Sequence, residues 1–125
     1  MVLKPNMVIS GNKCSRQAGV DEVARATVRC LKRTVPSAVP GIVFLSGGQT
    51  PQVATDHLNA MNALGNLPWE LSFSYGRALQ DEALKAWKGE RANVATGQKA
   101  FAHRSKCVSA ARYGKYSTKM EMAAA

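Results

Sequence analysis

The sequence predicts an α/β fold built from three successive βα units whose strands run parallel in one sheet. Strand-like apolar runs alternate with segments of helical periodicity along the 125 residues. The run 41–45, Gly-Ile-Val-Phe-Leu, has no polar alternation, which is typical of a strand buried on both faces between helices. Either a doubly wound sheet or a (β/α)8 barrel fits this order, and both place function at the C-terminal ends of strands.

The first half of the chain contains two predicted strands and two predicted helices. A short buried strand ends near Lys4, and residues 10–13 form a loop. Apolar residues at helical spacing then predict a helix from about Val20 to Thr34, with Val20, Val23, Ala24, Thr27, Val28 and Leu31 on its inner face. After the strand at 41–45, Thr50 followed by Pro51 predicts the start of a second helix, which extends to about Asn62.

The second half contains one predicted strand and two predicted helices. The strand 71–75 leads into a helix from about Ala78 to Trp87, and a long helix covers about 93–112. Their predicted inner faces are made of apolar and small residues: Leu79, Ala83 and Trp87 in the first, and Val94, Gly97, Phe101 and Val108 in the second. The segment from Gly114 onwards has no periodicity, so we expect it to be loosely held.

Composition excludes several classes of function. Hydrophobic residues make up 46% of the chain, which is ordinary for a globular domain, and neither a membrane span nor a signal peptide is expected. A cytoplasmic location is therefore the default. The three cysteines and two histidines are not at metal-ligand spacing, so no metal is expected. The net charge of +9 suggests an anionic partner, but few aromatic residues interleave with the basic ones, which disfavours nucleic acid as that partner.

Lys4 is the candidate nucleophile. It lies at a predicted strand end among apolar residues, where its ammonium would lose solvation and the neutral amine would form more easily. A lysine at a strand end can also extend its head to the surface, so Lys4 alone does not decide between the two interpretations.

The next two strand ends carry candidate anion-binding residues. Ser46, Gly47 and Gly48 precede a proline-capped helix, where glycine backbone and a helix N-terminus can hold an anion, although two glycines also suit a simple turn. Ser74, Gly76 and Arg77 end the third strand. An arginine at a helix start is unfavourable unless an anion is present. Together the two loops favour a phosphate site, and a lysine nucleophile beside it implies a phosphorylated carbonyl substrate that forms a Schiff base.

Several long segments resemble class I fructose-bisphosphate aldolases, in the order in which that family has them. They are 2–8 (VLKPNMV), 33–36 (RTVP), 38–42 (AVPGI), 44–49 (FLSGGQ), 58–62 (LNAMN), 68–80 (PWELSFSYGRALQ) and 83–87 (ALKAW). The likeness extends over about residues 1–117, and the ending after Gly114 resembles short bacterial members. It implies the last three βα units of a (β/α)8 barrel plus a final helix, with the barrel incomplete.

The resemblance implies a role for each candidate residue. Lys4 would be the Schiff-base lysine, and one substrate phosphate would be held by Ser46, Gly47, Gly48, Ser74, Gly76 and Arg77. The implied reaction is the reversible cleavage of fructose 1,6-bisphosphate to glycerone phosphate and glyceraldehyde 3-phosphate, without metal or cofactor. Tyr113 and Tyr116 do not match the C-terminal catalytic tyrosine of many eukaryotic members, so that role is not transferred.

The resemblance also predicts what this chain lacks. The earlier strands of such a barrel supply the proton-transfer groups, and no carboxylate here lies in a matching motif. We therefore expect a partial barrel domain at 1–117, a loosely ordered tail at 118–125, and a chain that is marginally folded or oligomeric with little activity alone. A truncated gene would explain this, and a complete barrel would form a homo-oligomer. The alternatives are a remnant that binds phosphosugars or assembles with other barrel fragments, and a basic nucleic-acid-binding protein.

Overall fold

The computed structural model describes residues 1–122 as alternating strands and helices. Three strands are each followed by a helix, and two further helices end the described chain. In order these are β1 (Val2–Leu3), α1 (Val20–Thr34), β2 (Gly41–Phe44), α2 (Pro51–Ala63), β3 (Glu70–Phe73), α3 (Arg77–Trp87), a 3₁₀ turn (Arg91–Asn93), α4 (Val94–Arg112) and α5 (Lys119–Met122).

The sheet contains three parallel strands in the order β1-β2-β3. Leu3 is opposite Ile42, which is in turn opposite Leu71. The strands do not close into a barrel, and the three parallel βα units confirm the predicted architecture.

Helix α1 has the bounds that its apolar periodicity predicts. Its buried residues are Val23, Ala24, Thr27, Val28 and Leu31, whereas Val20 is exposed at the first position. Acidic residues in the first turn and basic residues in the last complement the helix dipole. Helix α2 begins as predicted: the Thr50 hydroxyl accepts a hydrogen bond from Val53 N at 3.3 Å, and Pro51 follows directly.

The inner faces predicted for α3 and α4 are partly wrong. Gly97 and Val108 are buried as predicted, but Trp87, Val94 and Phe101 are each about 40% exposed. Helix α4 packs against both α2 and α3, so a single stripe at fixed spacing does not describe its contacts. Its buried side chains also include Arg104 and Cys107, which the apolar pattern overlooked.

Gly97 allows α3 and α4 to approach closely. A Cβ added at this position would lie 2.9 Å from the Cβ of Trp87 and 3.3 Å from the carbonyl oxygen of Ala83. Both neighbours belong to α3 and are not the far ends of flexible side chains. A larger residue at Gly97 would therefore push the helices apart.

The prediction that a strand is buried on both faces is also wrong within residues 1–122. Ile42 and Phe44 are fully buried beneath the helices, whereas Gly41 and Val43 between them are only half-buried. Alternate side chains of a strand point to opposite faces, and within residues 1–122 the helices cover one face. β1 is not buried either, because Val2 is 59% exposed.

Residues after Gly114 contact the helical layer. Tyr116 is buried, and α5 brings Glu121 against Arg104. The loose tail was expected at 118–125: residues 118–122 include this helical turn, residues 123–125 lie outside the described part, and the boundary after Ser117 stays a prediction. Within residues 1–122, none of the helices has the length and apolar character needed to cross a membrane.

Candidate functional site

Backbone hydrogen bonds beyond the strand bounds bring the three strand ends to one edge of the sheet. Leu45 N donates to the carbonyl oxygen of Pro5 at 3.0 Å, and Ser74 N donates to that of Phe44 at 2.8 Å. The segments that follow β1, β2 and β3 therefore start side by side. This edge carries the three groups of residues that the sequence singled out.

Lys4 directly follows β1 and is exposed. Leu3 packs against the core and is opposite Ile42, so the alternation of the strand directs Lys4 to the other face of the sheet. The apolar surroundings expected for Lys4 do not form within residues 1–122. The sequence prediction was wrong here because the neighbours of Lys4 in sequence do not enclose it in space.

The loop after β2 forms a tight turn. Gln49 N donates to the Ser46 carbonyl oxygen at 3.1 Å, and Asn6 Nδ2 donates to the Gly47 carbonyl oxygen at 3.4 Å. Gly48 has φ +80°, where side chains with a Cβ are strained, and a Cβ there would lie 3.1 Å from Ile9 Cδ1. The turn therefore needs glycine at this position for its own geometry, whatever it binds.

Ser46 connects this loop to the start of α3. Its side chain is buried, and its hydroxyl accepts a hydrogen bond from Ala78 N at 3.4 Å. The loop after β2 and the first turn of α3 are thereby in direct contact. The two candidate phosphate-binding segments are therefore neighbours at this edge of the sheet.

The N-terminus of α3 has no side-chain cap from its own N-cap residue. Gly76 is the N-cap residue, with no side chain to accept from the first amides, and the first turn has no acidic residue. A Cβ at Gly76 would meet nothing within 4 Å, and Arg77 is exposed at the first helical position. Ala78 N donates to Ser46, and Leu79 N and Gln80 N donate to the Gly76 carbonyl oxygen. The positive end of the helix dipole and the Arg77 guanidinium therefore make this end suitable for an anion.

The sequence analysis did not identify a hydrogen bond between Gln49 and His57 that fixes the loop after β2. His57 Nδ1 and Gln49 Oε1 are 2.7 Å apart, and His57 is almost fully buried. Burial lowers the pKa of His57, so we assign a neutral ring that donates from Nδ1. The Gln49 amide nitrogen is buried without a partner in the described part of the chain. The sequence signal that could have revealed this contact is the position of His57, a polar residue on the helix that follows the loop.

Carboxylates that form salt bridges within residues 1–122 are all paired with cations other than Lys4. Glu22 pairs with Arg16 and Glu70 with Arg112, while Glu82 and Glu121 both pair with Arg104. These four carboxylates are thus engaged elsewhere, and none of the four is established as a proton-transfer partner for Lys4.

Comparison with known proteins identifies one family. The family described as "Glycolytic: Fructose-bisphosphate aldolase class-I" matches residues 1–125. A fructose-bisphosphate aldolase of Dictyostelium discoideum is 56% identical over 115 residues, which are 92% of this chain and 32% of the relative. A probable class 1 fructose-bisphosphate aldolase of Xanthomonas axonopodis is 56% identical over 116 residues, 92% of this chain and 35% of the relative.

A solved structure gives the same result. Fructose-bisphosphate aldolase from Plasmodium falciparum, in complex with TRAP and a small-molecule inhibitor, superposes with a TM-score of 0.90 at 50% identity. The match covers 93% of this chain and 33% of the other. The chain therefore spans about a third of the length of the relatives it matches, and its three βα units correspond to part of their barrel.

Proposed function

We propose a function from one premise: the chain belongs to the class I fructose-bisphosphate aldolase family. In this proposal residues 1–125 supply the Schiff-base lysine and one phosphate site of that enzyme. The reaction is the reversible cleavage of fructose 1,6-bisphosphate to glycerone phosphate and glyceraldehyde 3-phosphate. Because the chain spans about a third of its relatives, the activity of the whole enzyme is part of the proposal.

Lys4 is the nucleophile in this mechanism. Its neutral amine adds to the ketone carbonyl of the substrate, and loss of water gives an iminium. A general base of the complete enzyme then takes the proton of the C4 hydroxyl, the C3–C4 bond breaks, the aldehyde leaves, and the electron pair moves into the iminium to form an enamine. Protonation of the enamine and hydrolysis release glycerone phosphate and regenerate the amine. No metal is needed, because the iminium itself withdraws the electrons.

The second part of the proposal is the phosphate site. Ser46, Gly47 and Gly48 approach the phosphate from the loop after β2, and Ser74, Gly76 and Arg77 approach it from the start of α3. The observation that carries this assignment is the contact between the two segments, the 3.4 Å hydrogen bond from Ala78 N to the Ser46 hydroxyl. Because the positive end of the helix dipole and the Arg77 charge repel each other, an anion at this end would relieve their unfavourable electrostatics.

We expect little turnover from residues 1–125 by themselves. Proton transfer to and from the substrate requires a general acid and base, and losing one typically costs about 10²–10⁴-fold in rate. A phosphosugar-binding or barrel-assembly role without turnover is therefore the second candidate. It is favoured by one observation, the exposure of Lys4 and the half-open sheet face beside it. Within the proposal the partner is a phosphosugar rather than nucleic acid, the location is cytoplasmic, and the complete barrel is a homo-oligomer.

Borohydride trapping tests the proposal. The chain is incubated with glycerone phosphate and borohydride, digested, and analysed for the reduced adduct by mass spectrometry. We expect the adduct on Lys4, no adduct in Lys4→Arg, which keeps the charge but cannot form the imine, and normal trapping in the control Lys13→Arg.

The other outcomes separate the alternatives. Saturable glycerone phosphate binding without an adduct would support the binding role. Adducts spread evenly over the exposed lysines would contradict a specific nucleophile. DNA binding that falls steeply with salt, without sugar binding, would instead favour the nucleic-acid hypothesis.

A further inference from the structure

A second cluster of reactive side chains lies on the helical side of the fold. His103 and Cys107 are four residues apart on α4 and therefore share one face of that helix. Cys107 Sγ is 3.6 Å from His103 Nε2, and Glu121 Oε2 of α5 is 3.7 Å from the same nitrogen. The nitrogen, sulfur and carboxylate donors all lie within 4.8 Å of one another.

These distances suit a tetrahedral metal ion. Zn²⁺ binds imidazole nitrogen and carboxylate oxygen at about 2.0–2.2 Å and thiolate sulfur at about 2.3 Å, which at tetrahedral angles separates the ligand atoms by about 3.4–3.6 Å. The separations of His103 from Cys107 and from Glu121, 3.6 and 3.7 Å, are close to this spacing, and the Cys107 and Glu121 donors lie within 4.8 Å of each other. A small movement of these side chains would bring all three donors into coordination.

Two carboxylates face one guanidinium beside the cluster. Arg104 is 1% exposed and pairs with both Glu82 and Glu121, so one guanidinium faces two carboxylates. Burial and the nearby Glu121 charge raise the pKa of the Cys107 thiol, so the bound ion itself would have to displace the thiol proton. Glu121 Oε1 accepts from both Arg104 and Tyr116, whereas within residues 1–122 Oε2 accepts from Arg104 alone. A carboxylate oxygen has two lone pairs, so Oε2 keeps one for an ion.

A cavity of about 700 Å³ reaches two members of the cluster, His103 and Glu121, whereas Cys107 is fully buried. It is lined by His103, Glu121 and Glu82 and also by Lys99 and Lys106. The two lysines are exposed, so solvent and salt screen their repulsion of an incoming cation. The cavity also supplies water for the remaining coordination position.

We propose that His103, Cys107 and Glu121 bind one thiophilic divalent cation, such as Zn²⁺, with water as the fourth ligand. The site goes beyond the proposed aldolase function because its residues belong to α4 and α5 and not to the strand ends. The ion would join the last two helices of the described chain. The sequence prediction of no metal missed this site because it did not consider the four-residue spacing between His103 and Cys107.

Cobalt provides a spectroscopic probe of this site. In the full 125-residue chain, the exposed thiols are first removed as Cys14→Ser and Cys30→Ser, so that Cys107 is the one remaining cysteine. Titration with Co²⁺ is expected to produce a thiolate-to-metal charge-transfer band and the intense visible bands of four-coordinate cobalt. Both should saturate at one ion per chain and disappear when Zn²⁺ is added.

Two variants test the ligands. Cys107→Ser is expected to abolish the charge-transfer band. His103→Asn should weaken Zn²⁺ binding by at least about 10–100-fold, the loss seen even for residues that only support a ligand. His57→Asn removes the other histidine and should leave the affinity unchanged. Far-UV circular dichroism, with and without the ion, reports the folding of each variant.

The proposal is overturned if the folded chain shows no thiolate band at one equivalent. It is equally overturned if the band survives Cys107→Ser or if His103→Asn binds Zn²⁺ as tightly as the parent. Should the parent gain helicity only with the ion, the same gain in His103→Asn would contradict the site, and loss of that gain would support it.

Discussion

The two faces of the sheet differ in how completely the described residues cover them. On the helical face, Ile42, Phe44, Leu58, Met61, Leu71 and Val108 are fully buried. On the opposite face Val43 is half-buried and Lys4 is exposed. The helical face has its core within the chain, whereas the face that carries the candidate nucleophile is uncovered by the described residues.

Because of this difference, we expect the residues that determine stability and the residues that bind ligand to be different sets. Substitutions on the helical face should change the free energy of unfolding because they remove buried contacts. Substitutions at the strand ends should change ligand binding and leave stability almost unaltered. Each of the following predictions tests this separation, beginning with the largest expected effect.

Arg104→Met should cause the largest loss of stability. Arg104 is buried, and its removal leaves Glu82 and Glu121 without their cation; breaking such a pair costs about 3–5 kcal/mol, with the lower end expected because both carboxylates are partly exposed. Urea unfolding measures the change. Arg16→Met, which breaks the exposed pair with Glu22, is the matched control and should cost less than about 1 kcal/mol. Equal costs for the two variants would contradict the comparison.

Arg77→Ala should weaken binding and spare the fold. A hydrogen bond to a charged group contributes about 1.5–3 kcal/mol, so the affinity for glycerone phosphate should fall about 10-fold or more. Calorimetry measures the affinity, and the midpoint of thermal unfolding should stay unchanged because Arg77 is exposed. Arg91→Ala, an exposed arginine beyond the other end of α3, should alter neither quantity. A large fall in the melting midpoint of Arg77→Ala would show that the two faces are not independent.

Gly48→Ala tests a residue that is proposed to bind phosphate and is also required by the backbone geometry of its turn. A residue with a Cβ at φ +80° costs about 1–2 kcal/mol, and the loop should lose its ability to hold phosphate. Chemical unfolding and phosphate-dependent protection from heat measure the two effects. Gly11→Ala, where an added Cβ meets nothing within 4 Å, should change both by little. If Gly48→Ala were as stable as the parent chain and bound phosphate equally well, the assigned turn geometry would be contradicted.

Acid should destabilise the helical face in two stages. Burial lowers the pKa of His57 below its ordinary value of 6.5, so the unfolded chain binds more protons and stability falls as the pH drops below about 6.5. The pKa of Glu121 is also lowered: burial opposes its charge, but the hydrogen bonds from Arg104 and Tyr116 outweigh that. Its contribution is therefore present above about 4.5 and lost as the pH falls through the folded value. Burial raises the pKa of Asp56 and acts in the opposite direction.

Unfolding midpoints measured between pH 7 and pH 3 check this profile. His57→Asn should remove the upper stage and Glu121→Gln the lower one. A profile that is flat over this range in the parent chain would contradict both assignments.

Much of the fold was predictable from local patterns. The bounds of α1 and the N-cap of α2 follow from apolar periodicity and from Thr50-Pro51, which act over a few residues. The three parallel strands follow from short apolar runs separated by helices. The inner face of α4 was only half predicted, because α4 contacts two helices at once and buries a charged residue that no hydrophobic pattern marks.

The sequence predicted which segments form the candidate site but not how buried its residues are. Lys4, the loop at 46–48 and the start of α3 were all expected at strand ends, and backbone hydrogen bonds bring those ends to one edge of the sheet. The burial expected around Lys4 was wrong, and the role of each residue stays a proposal. The hydrogen bond between Gln49 and His57 was not foreseen, since it joins a loop to a helix across eight residues.

The sequence by itself determined the elements, their order and the family, because propensity, capping and motif are encoded in neighbouring residues. The tertiary structure decided which face of the sheet is closed, how Arg104 is neutralised, and that His103, Cys107 and Glu121 meet. The physical reason is that burial and electrostatics depend on residues that are distant in the chain and become neighbours only when the helices pack.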